Sequence, residues 1–253
     1  MRVDNVSDSS QISGMQSTAP NRYLHDAAAP RGGFTPAFPL LGLYDPVVRL
    51  LSRDRAWRSA LLDRLAPRAG ELIVDAGCGT GTFLVEAGRR APGAELIGMD
   101  PDTRILQRAG GKLAEAGVTA DLQQGYLRDT AGLLAGRVAA KISCSLVFHQ
   151  VSLAEKRAGF AAMYDALTPG GTLLIADYGL QRTAAMRTLF RLVQIVDGFA
   201  DTQPNADGVL PELMREVGFV DVEETDLFAT ATGSVSIYRA IRPAKAPRLA
   251  QLD

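Results

Sequence analysis

Residues 72–88 read LIVDAGCGTGTFLVEAG. An apolar run ends on an acid, glycines follow at alternate positions, and apolar residues at helical spacing resume at once. Glycine lets the chain leave a strand steeply and lets backbone approach a ligand with no Cβ between them. The helix that follows offers N–H groups that have no partner within it. Those properties suit a nucleotide, and the spacing narrows which one. Dinucleotide folds use GxGxxG, whereas here Gly77, Gly79 and Gly81 alternate, with Thr80 and Thr82 between and after them. No lysine follows the glycines as a P-loop requires. Asp75 precedes the turn, a poor neighbour for a pyrophosphate and a good one for a cationic or amino-bearing ligand.

The next apolar run, ELIGMD, ends at Asp100, 23 positions beyond Gly77. A carboxylate at the end of a second strand can accept both hydroxyls of a ribose, the shared requirement of adenosine-containing cofactors. The alternative for Asp100 is a cap for the helix beginning TRIL. Beyond it, TADLQQG, KISCSLVF and GTLLIADYG alternate with helical stretches TFLVEAGRRA, TRILQRAGGKLAEAG and LAEKRAGFAAMYDAL. Strands covered on both faces are nearly continuous apolar runs, so this alternation predicts βαβ units around a parallel sheet. Gly110 and Gly111 weaken the second of these helices, and close packing is the one reason the sequence offers for them.

Residues 1–35 are polar or rich in Gly, Ala and Pro and read as a disordered lead. A helical pattern begins near Asp45, with Pro46 in its first turn, and ends before Pro67 and Gly70. A second amphipathic helix, 182–199, follows the fifth strand, and ADTQPNADG after it is not expected to be helical throughout. Its place makes it a cover for the strand ends, where open parallel sheets bind ligands. LPELMREVG is a further helix stopped by Gly218, and FVDVEETDLFA and SVSIYRAIRP, joined by TATGS, predict an antiparallel hairpin. The domain plan is a flexible segment 1–43, a main α/β unit 44–242 with helical cover from 44–66 and 182–207, and a tail 243–253.

Composition excludes other classes. Apolar residues make up 47% and charged residues 22%, with formal charge -1, so there is no general attraction for a polyanion and no nucleic-acid partner is expected. RLLSRDRAWRSALLDRL concentrates arginine, but its interleaved acids and apolar positions describe a helix with one wet face better than a phosphate site. Two cysteines, Cys78 and Cys144, without CxxC give no disulfide framework or metal site. No apolar run approaches a membrane span or a signal peptide, so a cytoplasmic location is expected.

IVDAGCGTG, IGMDPD and LTPGGTLLIADYG together resemble the class I S-adenosylmethionine (AdoMet)-dependent methyltransferases. Across roughly residues 40–242 the layout is most similar to the small-molecule group that includes the ubiquinone and menaquinone C-methyltransferases. The resemblance implies a Rossmann-like three-layer α/β sandwich whose seven-stranded sheet has the order 3-2-1-4-5-7-6, with strand 7 antiparallel. It implies AdoMet as cofactor, Asp75 and Gly77, Cys78, Gly79, Thr80 and Gly81 along its methionine part, and Asp100 on its ribose. Met99 and Pro101 would flank the adenosine. Where the family commonly has Gly-Asp after strand 3, this chain has Gly125-Tyr126, which leaves the Tyr126 backbone, Gln124 or Asp129 to meet the adenine. The acid often found at the start of strand 4 is Lys141. The resemblance implies that Tyr44, and with it Tyr23 and His25, lie in a segment of the kind that frequently folds over the sulfonium pocket in family members; each is also readable otherwise, Tyr44 as the edge of an amphipathic core.

Methyl transfer from a sulfonium needs chiefly an oriented acceptor and little water, so the acceptor is poorly encoded. His149, just after strand 4, is a base, an orienting group or a structural hydrogen-bonding residue, and Gln150 could share the last two duties. Tyr178 after strand 5, and Arg187 and Arg191 on the cover helix, are further candidates for substrate contact, each also readable as packing or solvated surface. The absence of NPPY or DPPY argues against enzymes that methylate adenine in DNA. The leading expectation is O- or C-methylation of a small, partly apolar metabolite by a monomer or homodimer. The alternatives are a membrane quinone or phospholipid headgroup as acceptor, with transient membrane contact, and a non-catalytic AdoMet-binding regulator.

Overall fold

The computed structural model describes residues 54–244. Helix α1 (Asp54–Leu65) is followed by β1 (Leu72–Ala76), α2 (Thr82–Arg90), β2 (Glu95–Asp100), α3 (Thr103–Ala116) and β3 (Asp121–Gln124). A short helix α4 (Thr130–Leu133) leads to β4 (Ala139–Ser145), α5 (Leu153–Ala166) and β5 (Leu167–Tyr178). The chain then forms α6 (Ala184–Asp197), α7 (Phe199–Ala206), α8 (Leu210–Val217), β6 (Val220–Thr230) and β7 (Gly233–Ile241). The sheet order is β3-β2-β1-β4-β5-β7-β6. Strands β1 to β5 pair in parallel and β7 runs antiparallel to both neighbours, as the family resemblance implies.

The apolar strand runs follow from the layering, because successive side chains enter opposite cores. Ile73 packs with Trp57, Leu61, Leu84, Phe190 and Val193, on the face covered by α1, α2, α3 and α6. Its neighbour Val74 packs with Ile142, Phe160, Met163, Leu210 and Leu213, on the face of α5 and α8. Each such side chain removed from water stabilises the fold by about 1.5–3 kcal/mol. Side-chain caps set three helix starts: Asp102 accepts from Arg104 N at 2.8 Å, Ser152 from Glu155 N at 3.3 Å and Thr183 from Met186 N at 3.1 Å.

Two expectations need correction. The helix expected over 182–199 ends sooner, because Gly198, with φ of +90°, turns the chain. A second helix, α7, takes up most of ADTQPNADG with Pro204 inside it, and Asp207 and Gly208 leave the helix, so this stretch is not helical throughout. Pro204 lies two residues from the end of a short helix, so it removes one backbone hydrogen bond and leaves Thr202 N bonded to Gly198 O at 3.2 Å. Close packing does not explain the α3 glycines either. A Cβ at Gly110 would meet Leu122 at an ordinary 3.7 Å, and one at Gly111 would meet nothing within 4 Å.

The first nine residues of the helix expected from Asp45, and Tyr23, His25 and Tyr44, lie outside the described residues. Among the described residues no helix is long and apolar enough to cross a membrane.

Candidate active site

The strand order changes direction between β1 and β4, and a parallel sheet opens a crevice at such a point. The glycine turn hangs over this crevice from β2: Gly77 N and Cys78 N both donate to Met99 O at 2.8 Å. Gly77, Gly79 and Gly81 have φ of +78°, +52° and +73°, the left-handed region that glycine enters freely. The three are constrained differently. A Cβ at Gly77 would overlap Val147 Cγ2, and one at Gly81 would come within 3.1 Å of Ala109 Cβ. At Gly79 nothing lies within 4 Å, so its backbone faces open space.

Two acids frame that space. Asp100 ends β2 at 9% exposure; its Oδ2 accepts from Gly79 N at 3.1 Å and its Oδ1 from Asp102 N at 3.0 Å. Burial raises its pKa, against those two backbone bonds. Asp75 is buried at the end of β1 and accepts from Ser143 Oγ at 2.9 Å. Burial pushes its pKa up to about 7, opposed by the Ser143 bond and the positive charge of Arg58 on α1. Cys78 turns its sulfur toward Gly98 in the core, where burial raises the thiol pKa, so only its backbone faces the crevice. Thr80 Oγ1 accepts from Lys112 Nζ at 2.8 Å, and Lys112 also donates to Thr82 Oγ1 at 2.7 Å, which ties the turn to α3.

Beyond β2, Gln124 Nε2 donates to Pro101 O at 3.1 Å and Gly125 N to Asp100 O at 3.2 Å, so these four residues cluster on one side of the crevice. Gly125 has no room for a side chain, since a Cβ would lie 2.5 Å from Leu133 Cδ1. Tyr126 N donates to Asp129 Oδ2 at 2.9 Å, and its half-exposed ring lies under the Arg128 guanidinium at 4.5 Å. Lys141 pairs with Glu71 at 2.7 Å at the opposite end of the sheet.

The other rim is built on a strained residue. Leu146, at the end of β4, has φ +55°, a conformation that costs an L-residue about 1–3 kcal/mol. It is held by Leu146 N donating to Ala176 O at 2.8 Å, and Val147 after it caps the single-turn helix Phe148–Gln150. Asp177, fully buried in β5, anchors this turn: Phe148 N and Tyr178 N each donate to it at 2.7 Å, and His149 Nδ1 lies 2.7 Å from its Oδ1. His149 Nε2 faces Asp197 Oδ2 on α6 at 3.5 Å and the Gln150 amide at 3.2 Å. Burial disfavours charge on this ring, but Asp177 and then Asp197 outweigh it and push the pKa up to about 9. Tyr178 packs edge-on against His149 at 4.9 Å, and its hydroxyl is bonded to Thr232 at 2.8 Å rather than open to a cavity. Arg187 and Arg191 are exposed on α6, with Arg187 Nε donating to Gln181 O at 2.8 Å.

Against known proteins, a methyltransferase-domain family model matches residues 73–171. The demethylmenaquinone methyltransferase of Deinococcus radiodurans is 27% identical over 205 residues, covering 78% of this chain and 83% of that one. The ubiquinone/menaquinone biosynthesis C-methyltransferase UbiE of Syntrophotalea carbinolica is 28% identical, covering 87% and 93%. The chain is a class I AdoMet-dependent methyltransferase related to the UbiE and menaquinone methyltransferases. Solved methyltransferase structures share its fold. Apo SibL superposes with a TM-score of 0.60 at 19% identity over 84% of this chain and 64% of that chain. Geranyl diphosphate methyltransferase gives 0.58 at 16% identity over 74% and 77%.

In this methyltransferase the crevice fits the methionine and ribose ends of AdoMet. Gly79 presents bare backbone to open space, and each Asp100 oxygen keeps a lone pair beyond its one backbone donor. Three residues of the rim were not singled out from sequence: Asp177, Asp197 and Lys156. Lys156 is fully buried on α5, where Nζ donates to Val151 O and, at 2.8 Å, to Asp201 O on α7; burial lowers its pKa to about 8. A lone acid in LLIADYG and a lone acid closing an otherwise apolar and basic α6 were the available signals.

Proposed function

We propose that this methyltransferase methylates a ring carbon of an apolar quinol that reaches it from a lipid phase. The observation that carries the reading is the outward face of α6. Leu189, Leu192, Ile195 and Val196, with Phe199 just beyond, are 43–71% exposed. Their spacing places them on one side of the helix, opposite the buried Phe190 and Val193. A helix beside the acceptor rim that is apolar on both sides, with Arg187 and Arg191 on its flank, suits contact with anionic lipid. The naming of relatives as demethylmenaquinone methyltransferases favours this acceptor, an alternative in the sequence reading, over O-methylation of a small, partly apolar metabolite.

AdoMet supplies a methyl group already activated by the positive sulfur. The chain's residues must then bind the adenosyl group, orient the ring and keep water out. We assign cofactor contacts to Asp75, the Gly77–Gly81 turn and Asp100, with Pro101, Gln124, Gly125 and Tyr126 toward the adenine. A reduced ring carbon is nucleophilic: it bonds the methyl as the S–CH3 bond breaks to leave a neutral thioether, and the ring C–H proton then passes to solvent water as aromaticity returns. His149, protonated at neutral pH between two carboxylates, has no lone pair for that proton, so we read it as an orienting group and not a base.

The test pairs purified protein and AdoMet with a short-chain naphthoquinol or benzoquinol kept reduced. A product heavier by one CH2, with the label on ring carbon, is expected. Methylation only of hydroxyl or amino acceptors would overturn the reading.

A further inference from the structure

We propose that Asp197 is a positioning residue: by pairing with His149 it fastens the C-terminal end of α6 to the loop after β4 and so fixes one wall of the acceptor site. The inference rests on this rim being the acceptor side, as read above, but not on which acceptor is used.

The two ends of the link differ in firmness. Asp177 is immobilised inside β5 by two backbone donors as well as by His149 Nδ1. Asp197 closes α6 immediately before Gly198, and its carboxylate is 13% exposed. An acid in the last turn opposes the helix dipole, so a cation is needed there to offset it. No Lys or Arg occupies the last turn of α6. The imidazole facing Asp197 fills that role when both of its nitrogens carry protons.

The groups around the ring fit this charge state. From β5 come Asp177 and Tyr178, the latter with its hydroxyl on Thr232. From α6 comes Asp197, and from α5 comes Lys156, whose charge bears on Asp177 and which is bonded to Asp201 O of α7. Gln150 offers its amide to Nε2 at 3.2 Å. A neutral ring could accept from that amide nitrogen, but Asp197 would then face a lone pair in a buried site. With the amide turned over, Gln150 and Asp197 both accept from Nε2–H, at the cost of the long 3.4 Å bond from Gln150 Nε2 to Leu146 O.

The geometry makes the cover helix a part that is held, not merely packed. Apart from this pair, the carboxyl end of α6 contributes Phe190, Val193 and Gln194 to the buried layer, while Leu192, Ile195 and Val196 face outward.

The experiment is an NMR titration of the histidine rings in the full chain, which has only His25 and His149, with His149→Gln assigning the signals. His149 should titrate well above the ordinary histidine value of about 6.5. In Asp197→Asn its pKa should fall by roughly 1–2 units, amide exchange in the last turn of α6 should quicken, and AdoMet affinity should stay within about twofold. With a working acceptor, KM for that acceptor should rise about five- to tenfold with little change in kcat, and Asp197→Glu should restore much of it. A His149 pKa near 6.5 in the unmodified protein, or an Asp197→Asn variant with unchanged His149 pKa and unchanged α6 exchange, would overturn the proposal. If no quinol is methylated while the titration and exchange behave as stated, the acceptor assignment fails and the positioning role stands.

Discussion

Replacing Gly77 with Ala tests whether the glycine turn is dictated by its neighbours as well as by a ligand. At φ +78° an L-residue costs about 1–2 kcal/mol. The added Cβ also overlaps Val147 Cγ2 in the loop after β4, an overpacking that typically adds about 1–3 kcal/mol. The expected loss is therefore about 2–5 kcal/mol of stability. Because Gly77 N and Cys78 N hang the turn on Met99 O, relief of the clash must also move Gly79 N away from Asp100. Urea denaturation gives the first effect and calorimetric titration with AdoMet the second, which should exceed tenfold, about 1.4 kcal/mol. Shortening Val147 to Ala removes the overlap but not the backbone strain. The double variant should thus be more stable than the sum of the single losses by at least about 1 kcal/mol, well outside the usual error of additivity. Additive losses, or a Gly77→Ala protein that unfolds and binds like the parent, would refute the reasoning.

Two further expectations follow from the acids and bases. Asp100→Ala should weaken AdoMet binding at least tenfold, about 1.4 kcal/mol, because it removes the acceptor of Gly79 N as well as the proposed ribose contact; unchanged affinity in a folded variant would remove Asp100 from the cofactor site. Stability should fall by about 1 kcal/mol between pH 7 and 8. The raised His149 pKa, about 9, means that the folded state keeps a proton that the unfolded chain releases near 6.5. That contribution is complete below pH 6.5 and is lost as pH rises through 9. Lys156 acts oppositely above pH 8, since its folded pKa of about 8 lies below its unfolded one, so the fall should flatten toward pH 9. The denaturation midpoint measured across this range, flat from pH 7 to 8 in the parent or equally sloped in His149→Gln, would contradict the assignment.

The sheet and its glycine turn are legible in the sequence because each depends on local residues. Ile73 and Val74 enter opposite cores, which makes the strand apolar throughout, and a turn with left-handed backbone at three places has to be written in glycine. The polar rim was not legible for the opposite reason. Asp177 lies 28 residues from His149, and only the placing of β5 beside β4 brings them together. Asp197 and Lys156 are more remote still: each gains meaning from a partner on another helix or loop, and alone each looks like an ordinary surface charge. The division of the cover into α6 and α7 is less legible, because a single glycine near the end of an apolar stripe gives little sign that Gly198 has a φ of +90° and turns the chain there.

The position of β7 has a consequence for how the molecule is made. Residues 233–241 sit between β5 and β6, with Gly170 N and Arg242 N closing the pairing at its far end. During synthesis β5 leaves the ribosome with one side unpaired and must wait while some fifty residues follow before its neighbour exists. Over that interval Leu174 and Ile175 belong to a bare edge of the kind that invites pairing with another chain. A nascent form arrested before residue 233 should therefore be a sticky species that needs a chaperone.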